Sequence, residues 1–129
     1  METVSSSSLT TPFPVGYKKT SLEIKGNKTD VVVCRYDDYF MVMVTQIGCV
    51  GTILHARKEE GFASDPTFSV SVIFGKRDEP LLDACGRQLI EHISSCGSSR
   101  PLVLTLGLKE HSRGTLKEII SAVIENRLW

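Results

Sequence analysis

The stretch Tyr39–Leu54, YFMVMVTQIGCVGTIL, decides how the rest of the chain must fold. Its first part is rich in aromatic and β-branched residues, which fit a pleated strand. Alternation puts Phe40, Val42, Val44 and Gln46 on one face, and Tyr39, Met41, Met43 and Thr45 on the other. Both faces are therefore apolar. Leaving either one wet forgoes about 1.5–3 kcal/mol for each large side chain. A sheet containing this strand needs a cover on both sides. Gly48 to Gly51 then predict a tight connection into a fourth strand, GTILHAR.

Upstream, KKTSLEIKG alternates with Leu22 and Ile24 on one side, the pattern of a half-buried strand. Gly26-Asn27 is a hairpin signal. A second strand, KTDVVVCRY, runs up to the turn-like Asp37-Asp38. Downstream, KEEGFASDPT is a loop punctuated by glycine and proline. After it FSVSVIFG predicts a fifth strand with Phe68, Val70, Val72 and Phe74 inward. The period then changes. DEPLLDACGRQLIEHISSCG has Pro80 in its first turn, Leu82, Cys85, Leu89 and Ile93 on one stripe, and Gly97 past its end, as a helix would. RPLVLTLGL is apolar enough for a central strand. RGTLKEIISAVIENRLW is an amphipathic helix with Ser112 or Thr115 as its cap.

These elements predict an α+β domain: a mostly antiparallel six-stranded sheet, its first five strands in meander, with two helices on one face. Six strands at about 4.8 Å spacing make a sheet about 29 Å wide, and two helices packed about 10 Å apart cover one face and not both. The expected remedy is a second copy or a related chain packed sheet on sheet, with Tyr39, Met41 and Met43 in the dimer interface. The alternative is that the chain's own tail or a loop folds over the back.

Length and charge narrow the function. The chain has 129 residues, one domain's worth. Residues 1–16, rich in Ser and Thr, read as a disordered tail, and 17–129 as a single domain. The 15 basic and 15 acidic residues balance and are interleaved in sign, which argues against nucleic acid or an anionic membrane as partner. No apolar run approaches the roughly 18 residues that a membrane span needs. The four cysteines form no CxxC pair and read as reduced thiols, so the expected location is the cytoplasm, with the nucleus as an additional one.

No catalytic constellation is visible. His55, His92 and His111 are scattered, GxSxG and HExxH are absent, and IGCVG is followed by a strand rather than the helix a dinucleotide fingerprint opens. No metal or cofactor set is expected. What remains is a binding surface. The loop after the fourth strand is long for a hairpin and carries Arg57, Lys58, Glu59, Glu60 and Asp65 around a single aromatic, Phe62.

Taken in order, VMVTQIGCVGTIL, VIFGKRDEPLLDACGRQL and the terminal Trp129 resemble the proteasome assembly chaperone 3 family, over most of Leu22–Trp129. The resemblance implies a non-catalytic chaperone that promotes correct α-ring formation early in 20S proteasome assembly. It implies a homodimer, or a heterodimer with assembly chaperone 4, that holds α-type subunits, the α5 subunit foremost. The family's α-subunit-contacting loop maps onto Arg57–Pro66 by motif order. From a different class, a dimeric trafficking or signalling adaptor of similar α+β build is the competing expectation.

Overall fold

The computed structural model describes residues 16–49, 51–59 and 66–129. The expected N-terminal tail, apart from Gly16, lies outside the described residues. Strands β1 (Gly16–Ile24) and β2 (Asn27–Arg35) form an antiparallel hairpin. Its turn is Lys25-Gly26, one residue earlier than the glycine-asparagine signal suggests, because Asn27 already pairs with Ile24. Both turn residues have positive φ, 50° and 81°, as a type I′ turn requires. Lys25 is a costly residue there. Its side chain is held in return, by Glu110 at 3.1 Å and Ser112 at 3.0 Å.

Strands β3 (Phe40–Gln46), β4 (Thr52–Glu59), β5 (Thr67–Phe74) and β6 (Leu102–Gly107) complete one sheet in the order β1-β2-β3-β6-β4-β5. All neighbours are antiparallel except β3 and β6. The expected meander is therefore wrong between β3 and β4, where β6 inserts. Burial explains the insertion. Leu102, Leu104 and Leu106 are fully buried, and only a central position gives a strand neighbours on both edges. The β3–β4 connection must consequently cross the end of β6, which is where the glycines are. A Cβ on Gly107 would sit 3.3 Å from the Cys49 carbonyl oxygen, and one on Gly51 would sit 3.0 Å from Thr105 Cγ2.

Helices α1 (Pro80–Ser95) and α2 (Arg113–Glu125) pack on the same face of the sheet. The first lies over β4, β5 and β6; the second packs against α1 and β2. Leu82, Cys85, Leu89 and Ile93 form the buried stripe of α1, with Pro80 in its first turn and Gly97 at φ 95° beyond its end. Mid-helix Gly86 allows close approach: a Cβ there would lie 3.4 Å from Val70 Cγ1. Ser112, not Thr115, caps α2, its hydroxyl accepting from the Thr115 N–H at 3.2 Å. Behind the helices Phe40, Val42, Val44, Leu54, Leu104 and Ile119 make a continuous core. Trp129 closes one end, edge-on to Phe40 at 5.3 Å and donating to His92 Nδ1 at 2.9 Å.

One expected core residue is displaced. Phe74 is 59% exposed, because a bulge at Ile53/Leu54 shifts the β4–β5 register and sets Phe74 opposite Ile53, on the face away from the helices.

Two polar groups stitch the layers together. Gln46 is buried; its amide donates to Thr29 Oγ1 at 2.9 Å and its carbonyl accepts from the Lys109 N–H at 2.8 Å. Glu110 accepts from Ser112 and Thr115 hydroxyls at 2.8 Å each and pairs with Lys25, so its carboxyl is pushed down to about 2 from an ordinary 4.5. A depressed carboxyl stabilises the fold above its unfolded pKa and ceases to do so as pH falls through its folded one. The stability difference between the native chain and Glu110→Gln is therefore expected to be constant above about pH 5 and to shrink between about 4.5 and 2. Parallel urea titrations at pH 6, 4 and 2.5 check this; an unchanged difference would refute the tether.

Candidate protein-interaction surface

The sheet register fixes what the uncovered face presents. One row crosses all six strands as Tyr17, Cys34, Met41, Val103, His55 and Ser71. The next runs Lys19, Val32, Met43, Thr105, Ile53 and Phe74. The third is polar: Ser21, Asp30 and Thr45. Ser21 donates to the Asp30 carboxylate, and that hydrogen bond, the largest cause, holds the Asp30 pKa below its usual range. The apolar patch is thus a band across the middle of the sheet, with a polar border on one side.

An aromatic group ends the band. Tyr36 and Tyr39 stack with ring centroids 4.6 Å apart and planes 7° from parallel. Tyr17, 67% exposed, lies beside them through its pairing with Cys34. All three tyrosines of the chain are therefore gathered at one end of this face. Tyrosine is enriched among residues that dominate protein interfaces, because it buries a large flat area while keeping a polar tip. Burial raises the Tyr36 pKa, with Cys34 and Tyr39 adding to the shift, so the phenol stays a neutral hydrogen-bond donor.

Of the residues singled out from sequence, Tyr39, Met41 and Met43 sit together on this face, each half-buried. Among the described residues, neither helix reaches it. The strand parity did not reveal Tyr17, Val32, Cys34, Val103, Ile53 and Phe74 as parts of the same surface. Their signal was present only as alternation within each strand, and joining them needs the β3–β6 pairing. Arg57, Lys58 and Glu59 are not in a loop but end β4, with Arg57 and Glu59 paired at 3.5 Å. Glu60, Phe62 and Asp65 lie outside the described residues.

The titratable groups are separated. His55 lies on the open face, His92 bonds Trp129, and His111 Nδ1 meets Glu79 Oε1 at 2.9 Å, tying the β6–α2 loop to the start of α1. Burial pushes the Cys34 thiol up and the Cys85 thiol up to about 12, keeping both protonated. Among the described residues no group of three or more His, Cys, Asp or Glu could hold a metal ion.

A one-sided α+β layer in which no described element covers an apolar, tyrosine-ended sheet face is the architecture of a protein-binding domain. The sequence model of the family described as Proteasome assembly chaperone 3 matches residues 42–126. The human proteasome assembly chaperone 3 is 28% identical over 122 residues, spanning 92% of this chain and 98% of its own length. That of Nematostella vectensis is 26% identical over 112 residues, spanning 80% and 82%. The fold is shared with a chain in a crystal structure of a chaperone complex for yeast 20S proteasome assembly, at a TM-score of 0.66 and 10% identity, over 84% of this chain and 95% of that one. This chain belongs to the proteasome assembly chaperone 3 family.

The residues that carry the resemblance now have physical roles. Gln46 is the buried knot between β2, β3 and the β6–α2 loop. Gly51 makes room for the strand crossing. In the Asp78-Glu79-Pro80-Leu81 set, Asp78 turns the chain at φ 61°, Glu79 reaches His111, and Pro80 starts α1.

Proposed function

We propose that this protein is a non-catalytic chaperone of 20S proteasome assembly that works as a pair of chains. The observation that carries the reading is the open apolar sheet face, in a chain of this family. Six strands at about 4.8 Å by seven residues at about 3.3 Å give a face of roughly 670 Å², so two such faces bury about 1,300 Å², enough for a specific interface. The second chain is another copy or an assembly chaperone 4. Through the pair, the end of the β4–β5 hairpin holds an α-type subunit, α5 foremost, shields it from wrong ring contacts, and gives it up when a later intermediate competes for the same surface. The relatives' names support the proteasome as client.

The hairpin's part is tested by pull-down of isolated α subunits with the native chain and with a Lys58→Glu, Phe62→Ala double variant. Retention is expected to drop at least about tenfold, the effect of losing one aromatic anchor and reversing one charge. Undiminished retention removes the hairpin from the mechanism.

A further inference from the structure

On the layer opposite the open sheet face, the outer surface of the two helices holds a cleft. The connectivity starts both helices at the same end of the sheet, since α1 follows β5, α2 follows β6, and both strands end on that side. Their first halves run side by side and leave a groove of about 740 Å³ between them. Its floor is apolar, with Leu81, Cys85, Leu116 and Ile120. Ala84 keeps one wall low.

The rim is charged in one sense. Arg113 and Lys117 line the groove, both are exposed, and among the described residues no carboxylate lines it. Among the described residues neither cation has a carboxylate oxygen within 4.0 Å. Arg113 also stands at the first position of α2 with no acidic residue in that turn, where the helix dipole disfavours a cation. Among the described residues, two cations without a carboxylate partner thus flank an apolar trough, a charge pattern complementary to an anionic amphipathic partner.

We propose that this groove docks an amphipathic helix of a partner protein, its apolar stripe on the floor and Asp or Glu side chains against Arg113 and Lys117. A trough between two packed helices accepts a third helix through anchors spaced at i, i+3/i+4 and i+7. The cations select the sign of its flanks. The surface is independent of the open sheet face, so one chain can hold a pairing partner on its sheet and a second protein on its helices.

The test uses the full chain and two fluorescein-labelled helical peptides of identical leucine stripe, one flanked by Glu and the other by Lys, read by fluorescence anisotropy. The Glu peptide is expected to bind at least about tenfold more tightly than the Lys peptide, with the preference reversed by Arg113→Glu, Lys117→Glu. Ala84→Trp, which fills the trough, is expected to weaken the Glu peptide at least about tenfold. Ile120→Ser, which removes floor contact without adding bulk, serves if the tryptophan variant does not fold. Equal affinity for the two peptides overturns the proposal, as does no binding to the native chain. So does binding that appears only after residues 2–15 are deleted, which assigns the groove to the chain's own tail. A fall in solution mass on Ala84→Trp overturns it as well, by assigning the groove to a second copy.

Discussion

On the proposed sheet-on-sheet pairing, Met43→Asp is expected to leave a folded monomer. Met43 lies in the middle of the apolar rows, flanked by Val32 on β2 and Thr105 on β6. In a sheet-on-sheet pair that site is desolvated, and an unpaired carboxylate placed there costs several kcal/mol. Each 1.4 kcal/mol is a factor of ten, so the dissociation constant should rise at least about 100-fold. The isolated chain should tolerate the change, because Met43 is only half-buried in it and loses at most about 1 kcal/mol of burial. Size-exclusion chromatography with light scattering reads the mass, alone and with an assembly chaperone 4 present, while circular dichroism reads the fold. Glu91→Lys is the control. It changes an exposed residue of α1, in the layer opposite the sheet face, and should leave the mass unaltered. A Met43→Asp protein that keeps the native mass would rule out pairing through this face.

The reasons why the sequence revealed so much of this molecule, and not all of it, are physical. Strand and helix identities follow from period, so Phe40-Val42-Val44 against Met41-Met43, and the stripe of Leu82, Cys85, Leu89 and Ile93, were readable directly. Strand order is not periodic. RPLVLTLGL showed that β6 is central, and a central sixth strand is incompatible with five strands in unbroken meander; that conflict within the sequence was the available clue to the β3–β6 pairing. Gly51 and Gly107 carried a second clue, since glycines at both crossing segments signal close backbone approach rather than a tight hairpin. The bulge that turns Phe74 outward left only a faint mark: alternation in FSVSVIF stops at Val72-Ile73-Phe74, three apolar residues in a row, and Ile73 is the residue the register skips.

The surface was legible in part for the same reason. Tyr39, Met41 and Met43 are an anomaly within one strand, and such anomalies are visible. Tyr36 flanks the same turn as Tyr39, but Tyr17 belongs to another segment, and only the register brings it to them. The groove between the helices was invisible. Arg113 and Lys117 look like ordinary solvated positions of an amphipathic helix until α1 is set beside them.

The role of Gln46 is the sharpest case of a motif that became physical only in three dimensions, and it predicts a large effect on stability. Gln46→Met keeps length and volume while deleting both hydrogen bonds, so packing should change little. The cost falls on what is left behind. Thr29 Oγ1, fully buried, loses its donor and keeps only its bond to the Asn27 carbonyl at 3.1 Å. The Lys109 N–H loses its acceptor but belongs to an exposed residue that water can reach. Two lost hydrogen bonds at about 0.5–1.5 kcal/mol each, with part of a buried acceptor's desolvation, sum to about 2–3 kcal/mol. For a domain of this size that lowers the melting temperature by roughly 10 °C. The partner's share is separable. Thr29→Val in the Gln46→Met background removes the stranded hydroxyl, so the double variant should be no less stable than Gln46→Met alone, although Thr29→Val by itself destabilises. Thermal and urea unfolding of the four proteins give the cycle. Strictly additive losses would mean that Gln46 and Thr29 act independently, and that the knot between β2, β3 and the β6–α2 loop is packing rather than hydrogen bonding.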